Sequence, residues 1–134
     1  MTNITKKVAA FIVALLLLSG CDFAFLAGGK TIGINSGRFI YTDGFSAKTY
    51  RHPFDQVWHA CEGALVDMKA SGVEKNKKIA TGSIKTVVNG DKVTIEVTYV
   101  SAEQTSVAVL IGKTGNNAAS ELIHEKIASN LQNP

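Results

Sequence analysis

Between Asn89-Gly90 and Ser101 the chain reads DKVTIEVTYV, and this stretch constrains the fold most. Val93, Ile95, Val97 and Tyr99 alternate with Thr94, Glu96 and Thr98. Successive side chains of a strand point to opposite faces, so the pattern predicts a half-buried strand, apolar on one side and polar on the other. IATGSIKTVV precedes the Asn-Gly pair, which is the strongest short signal for a two-residue hairpin. After a turn at Ser101 to Gln104, TSVAVLIGK predicts a further strand with Val107, Val109 and Ile111 on one face. A sheet with one apolar face needs a second layer to cover it.

Two segments have the period to supply that layer. In PFDQVWHACEGALVDMKASG, the residues Phe54, Val57, Trp58, Cys61, Leu65 and Met68 form one helical stripe. Pro53 suits the first helical position, Asp55 the positive N-terminal end, and Gly72 the position just past the end. Cys61 sits mid-stripe and is expected to pack as a small hydrophobe. In NNAASELIHEKIASNL, Ala119, Ile123, Ile127 and Leu131 recur every fourth residue, with Leu122 at the margin. Asn116 or Asn117 can cap this helix, and Glu121 and Glu125 are expected to face solvent. Ahead of the first helix, GRFIYTDGFSAKTYR carries Asp43-Gly44 at its centre and predicts a hairpin or one bulged strand. The expected fold class is α+β: an antiparallel sheet with two helices packed on one face, in the order β-β-α-β-β-β-α.

The first 36 residues read differently. Lys6 and Lys7 precede an unbroken apolar run from Val8 to Leu18, followed by small Ser19 and Gly20 and then Cys21. That is the pattern of a secretory signal. The run is about half the roughly 20 apolar residues that span a bilayer, and continuing it would bury Asp22. Residues 1–20 are expected to be a cleaved lipoprotein signal peptide, 21–36 a lipidated cysteine and flexible tether, and 37–134 a single α+β domain. LSGC, Leu18 to Cys21, resembles the bacterial lipobox. Its thiol can be alkylated with diacylglycerol, and cleavage before Cys21 frees an amine for a further acyl chain. Two or more chains anchor a protein stably, where one does so only marginally. Cys21 is thus the expected lipid-attachment site, and Cys61 is left without a partner in the chain.

Several function classes lose support at this point. Of 14 Lys and Arg, Lys6 and Lys7 depart with the signal, so the remaining chain is near neutral against 11 Asp and Glu. Nucleic-acid binding needs a concentrated basic face, and the one dense cluster, KNKK at Lys75 to Lys78, reads as a solvated loop. AFLAGGKT, Ala24 to Thr31, fits a relaxed phosphate-loop pattern. That mechanism needs a strand before the loop and a helix after it, whereas a lipobox precedes this one and the Gly-rich IGINSG follows. No nucleotide is expected, and no cofactor. Asp55, His59 and Glu62 share one face of the first helix and form the nearest approach to a metal set, but three ligands are a weak set. Catalysis at Cys61 would need exposure and a basic neighbour, so no catalytic residue is assigned and an enzyme is not expected.

From Gly37 onward the chain resembles short bacterial lipoproteins of the domain of unknown function 3568 family. LSGC, GRFIYTDGFSAKTY, FDQVWHACEGALVDM and ASELIHEKIASNL carry the resemblance. It implies a small anchored domain on the periplasmic side and brings no activity with it. Asp22 resembles the signal that retains lipoproteins in the inner membrane of enteric bacteria, which leans the anchor inward without deciding between inner and outer membrane. The expected role is a non-catalytic interaction or structural module of the cell envelope, with the membrane and an envelope protein as partners. The alternative is a periplasmic domain that binds a small ligand or metal.

Overall fold

The computed structural model describes residues 24–27, 30–33 and 40–133. Cys21 and the apolar leader lie outside the described residues. In chain order the elements are β1 (Ala24–Ala27), β2 (Lys30–Gly33), β3 (Ile40–Thr42), β4 (Phe45–Tyr50), α1 (Phe54–Asp67), β5 (Ser71–Lys77), β6 (Thr81–Val88), β7 (Asp91–Ser101), β8 (Gln104–Ile111) and α2 (Asn117–Gln132). Strands β3 to β8 form one six-stranded sheet, ordered β3-β4-β8-β7-β6-β5, and all its pairings are antiparallel. The class is α+β, as the sequence predicts.

The two dipeptide turns close two-residue hairpins. Asp43 and Gly44 take φ of 53° and 81°, and Asn89 and Gly90 take 51° and 85°. Two successive positive φ values make the turn that matches the twist of paired strands. Thr42 therefore faces Phe45, and Val88 faces Asp91. The open choice at Asp43-Gly44 resolves as a hairpin.

That register sets the core. Ile95 faces Ile84 on one side and Val109 on the other. By alternation Val93, Ile95, Val97, Val107, Val109, Ile111, Ile84 and Val88 share one sheet face. They form a single buried cluster with Phe54, Val57, Trp58, Cys61 and Leu65 of α1 and Ile123 and Ile127 of α2. Tyr99, at the end of the alternating run, stands 43% exposed where the β7–β8 ladder shifts register. A smaller cluster of Phe45, Ala47 and Ala108, with Leu110 against it, occupies the opposite face.

Three expectations need correction. The order β-β-α-β-β-β-α omits β5, so residues 40–133 run β-β-α-β-β-β-β-α. Lys75 to Lys77 of the supposed loop lie in this added edge strand, all of whose residues are exposed. An edge strand carrying lysines resists pairing with another chain, which is why it lacks the apolar alternation that marks β7. The first helix ends earlier than Gly72. Lys69 takes the left-handed conformation (φ 54°), its N–H donates to Val66 O, and Ala70 N–H donates to Leu65 O. This pair of bonds closes the helix, and Gly72 (φ 60°) instead serves the register shift between Ser71 and Glu74. Pro53 stands one residue before the helix, with its carbonyl accepting from Val57 N–H.

Within the expected tether, β1 and β2 pair antiparallel from Ala24↔Gly33 to Ala27↔Lys30. Lys30–Gly33 is thus a strand where a phosphate loop would open into a helix.

Candidate functional site

Asp55, His59 and Glu62 do line one face of α1, but the structure divides them. Glu62 accepts from His59 Nδ1 at 3.1 Å and from Lys75 Nζ at 2.9 Å, whereas Asp55 accepts from Lys77 Nζ at 2.7 Å. Each carboxylate is held by its own lysine from β5. Lys77 holds Asp55 below the usual carboxylate range, and Lys75 and His59 lower Glu62 against the opposing effect of burial. Among the described residues no group of three His, Cys, Asp or Glu is placed to hold a metal ion.

The register explains why the lysines reach. Lys75 faces Ile84 and Lys77 faces Gly82, so both share the core side of the sheet. The Lys77 ammonium lies 5.8 Å from the ring centres of both Phe54 and Trp58. The ammonium thus sits over both rings while it pairs with Asp55, the usual compromise of a long cationic side chain between apolar surface and a charged partner. Phe54 and Trp58 stack with ring centres 6.4 Å apart and are buried, so they fill the core and line no groove.

Cys61 is fully buried, as its mid-stripe position predicts, and burial pushes its thiol up to about 12. A thiol in that state is a packing group.

His124 is the titratable residue that sequence reasoning passed over. It is fully buried on α2. Its Nε2 lies 2.8 Å from the Ser46 carbonyl, and its Nδ1 lies 2.8 Å from the Tyr50 hydroxyl. A carbonyl can only accept, so Nε2 carries the hydrogen. Nδ1 then accepts from Tyr50, whose hydroxyl also has the His124 carbonyl 3.1 Å away. Burial is the main reason that His124 titrates at about 4, with the Lys48 charge acting the same way and the Ser46 carbonyl and Glu121 opposing. Burial also raises the Tyr50 hydroxyl. One turn earlier, buried Ser120 donates to the Val109 carbonyl at 3.5 Å. Ser46 and Val109 are themselves paired across β4 and β8. Two polar side chains on α2 thus dock it onto two sheet carbonyls. A signal existed: Ser120 and His124 are four apart and each adjoins a stripe position, Ala119 and Ile123.

An accessible cleft of about 490 Å³ lies between α1 and the C-terminal end of α2. Helix α1 contributes Gln56, His59, Gly63 and Asp67, and α2 contributes Asn130 and Leu131. At the crossing, Asn130 Nδ2 donates to the Ala60 carbonyl at 3.3 Å. The helices approach closely there because Gly63 has no side chain: a methyl group on it would stand 3.0 Å from Asn130 Nδ2.

The family model described as a protein of unknown function (DUF3568) matches residues 6–130. No curated protein matches the chain.

Proposed function

Because the chain belongs to the DUF3568 family of proteins of unknown function, we propose its role from its own residues: a lipid-anchored module of the cell envelope that acts by binding rather than catalysis. The observation that carries this reading is Cys21, placed directly after Ser19-Gly20 and an apolar run too short to span a bilayer. Acyl chains on Cys21 would hold the body to the periplasmic face of a membrane, with an envelope protein as its partner. The two helices would then present their outer surface away from the sheet. A non-catalytic role draws support from burial. The described thiol, Cys61, and the described histidine–tyrosine pair, His124 and Tyr50, are sealed in the core.

The test is metabolic labelling with a palmitate analogue, wild type against Cys21→Ser, with intact mass of the purified native protein. Label on the wild type alone, with a mature chain beginning at Cys21, supports the reading. A chain that keeps Met1 and carries no acyl mass removes it.

The cleft between the helices favours a second reading, a binder of small ligands. Its volume falls in the range of about 300–1,000 Å³ typical of ligand sites.

A further inference from the structure

We infer that the α1–α2 cleft takes a small organic cation: an ammonium group on a short apolar body. The inference rests on the second reading above, that the cleft is a ligand site, and is independent of the lipid anchor.

The floor of the cleft is small and apolar. Ala60 is buried, Gly63 offers no side chain, and Leu131 packs partly buried beside them. A short alkyl chain laid there would displace water from apolar surface without meeting a bulky group.

The rim supplies the charge. Among the described lining residues Asp67 carries the one carboxylate, Lys and Arg are absent, and the one imidazole, His59, is engaged by Glu62 at 3.1 Å. Unlike Asp55 and Glu62, whose carboxylates are held by Lys77 and Lys75, Asp67 has no ion pair among the described salt bridges. Helix α2 ends at this cleft, with Asn130, Leu131 and Asn133 in its wall. The final carbonyls of a helix lack intrahelical partners and carry its negative end. No basic residue occupies the last turn of α2, so that helix does not neutralise its own terminus. A carboxylate and a helix C-terminus flanking one apolar floor favour a cation. Both repel a carboxylate or phosphate ligand. Gln56 and Asn133 add neutral groups at the rim that can accept N–H hydrogens.

The experiment is a titration of the folded domain, residues 40–133 within the full mature chain, followed by amide ¹H–¹⁵N spectra. The probes are hexylammonium, hexanoate and hexanol. Saturable shifts at Gly63, Asp67, Asn130 and Leu131 with hexylammonium are expected. Hexanol should bind at least about tenfold more weakly and hexanoate should not saturate, since a tenfold ratio needs only one modest charge interaction. Asp67→Asn, an exposed change, should lower hexylammonium affinity about tenfold and leave the rest of the spectrum in place. Gly63→Leu, which fills the floor, should abolish binding of all probes. If hexanol or hexanoate binds as well as hexylammonium, or Asp67→Asn binds hexylammonium undiminished, the cation inference fails and the ligand-site reading stands. If no probe produces saturable shifts at the cleft, both fail.

Discussion

Trp58 packs directly against Gly82: a methyl group on that glycine would come within 2.2 Å of Cζ3 of the indole. Gly82 sits on the core face of β6, opposite Lys77 on one side and Val97 on the other. Its φ does not require glycine; the space does. Gly82→Ala is therefore expected to push Trp58 out of its stack with Phe54 and to destabilise the domain by about 2–3 kcal/mol. Urea unfolding followed by Trp58 fluorescence measures this, and a loss below half a kcal/mol would contradict the packing.

The buried His124–Tyr50 pair predicts an acid-sensitive stability. In the unfolded chain the imidazole titrates near its ordinary 6.5, and in the fold near 4. Between those values the unfolded chain takes up a proton that the fold refuses. Stability is then complete above about pH 6.5 and declines as pH falls toward 4, by on the order of 3 kcal/mol. Asp55 and Glu62, both lowered, add losses in the same direction at more acid pH. Unfolding free energy measured from pH 7.5 to 4.5 should fall in the wild type. In His124→Gln it should be lower at pH 7.5 and nearly flat across the range. Equal slopes in the two proteins would remove His124 as the cause.

Cys61 should be inert to a thiol reagent at pH 8 in the native state and react at once in denaturant, because its thiol is buried and protonated. Cys61→Ser places an unpartnered hydroxyl in the cluster between α1 and the sheet, with an expected loss of about 1–3 kcal/mol. Reagent kinetics and thermal unfolding read the two effects separately.

Gly115 and Gly90 both hold positive φ, 91° and 85°, yet their surroundings differ. A methyl group on Gly90 meets nothing within 4 Å, whereas one on Gly115 would lie 2.2 Å from the carbonyl oxygen of Gly44. Gly90→Ala should cost only the left-handed conformation, about 1–2 kcal/mol. Gly115→Ala should cost more than that, since it also forces apart the β3–β4 turn and the loop before α2. Chemical unfolding of the two variants in parallel checks the ranking, and equal losses would sink it.

The alternation Val93–Ile95–Val97, the two turn dipeptides and the α1 stripe through Cys61 were all legible in the chain, and Asn116 caps α2 through its side chain as one of two foreseen candidates. Each is a short-range matter. Side-chain period, positive φ at a two-residue turn and an orphan N–H at a helix start are settled by residues within a few positions of one another.

What local pattern did not reveal is β5, the capture of Asp55 and Glu62 by its lysines, the burial of His124, and the cleft at Gly63 and Asn130. β5 pairs with its neighbour β6 but, as an exposed edge strand, lacks the apolar alternation that would mark it. The other three join residues distant in the chain: 22 positions separate Lys77 from Asp55, and 78 separate His124 from Ser46. Polar side chains are ambiguous when read alone, because a lysine or histidine fits water as readily as a partner. Only the packed arrangement supplies the partner, and with it the burial that turns a polar residue from surface into core.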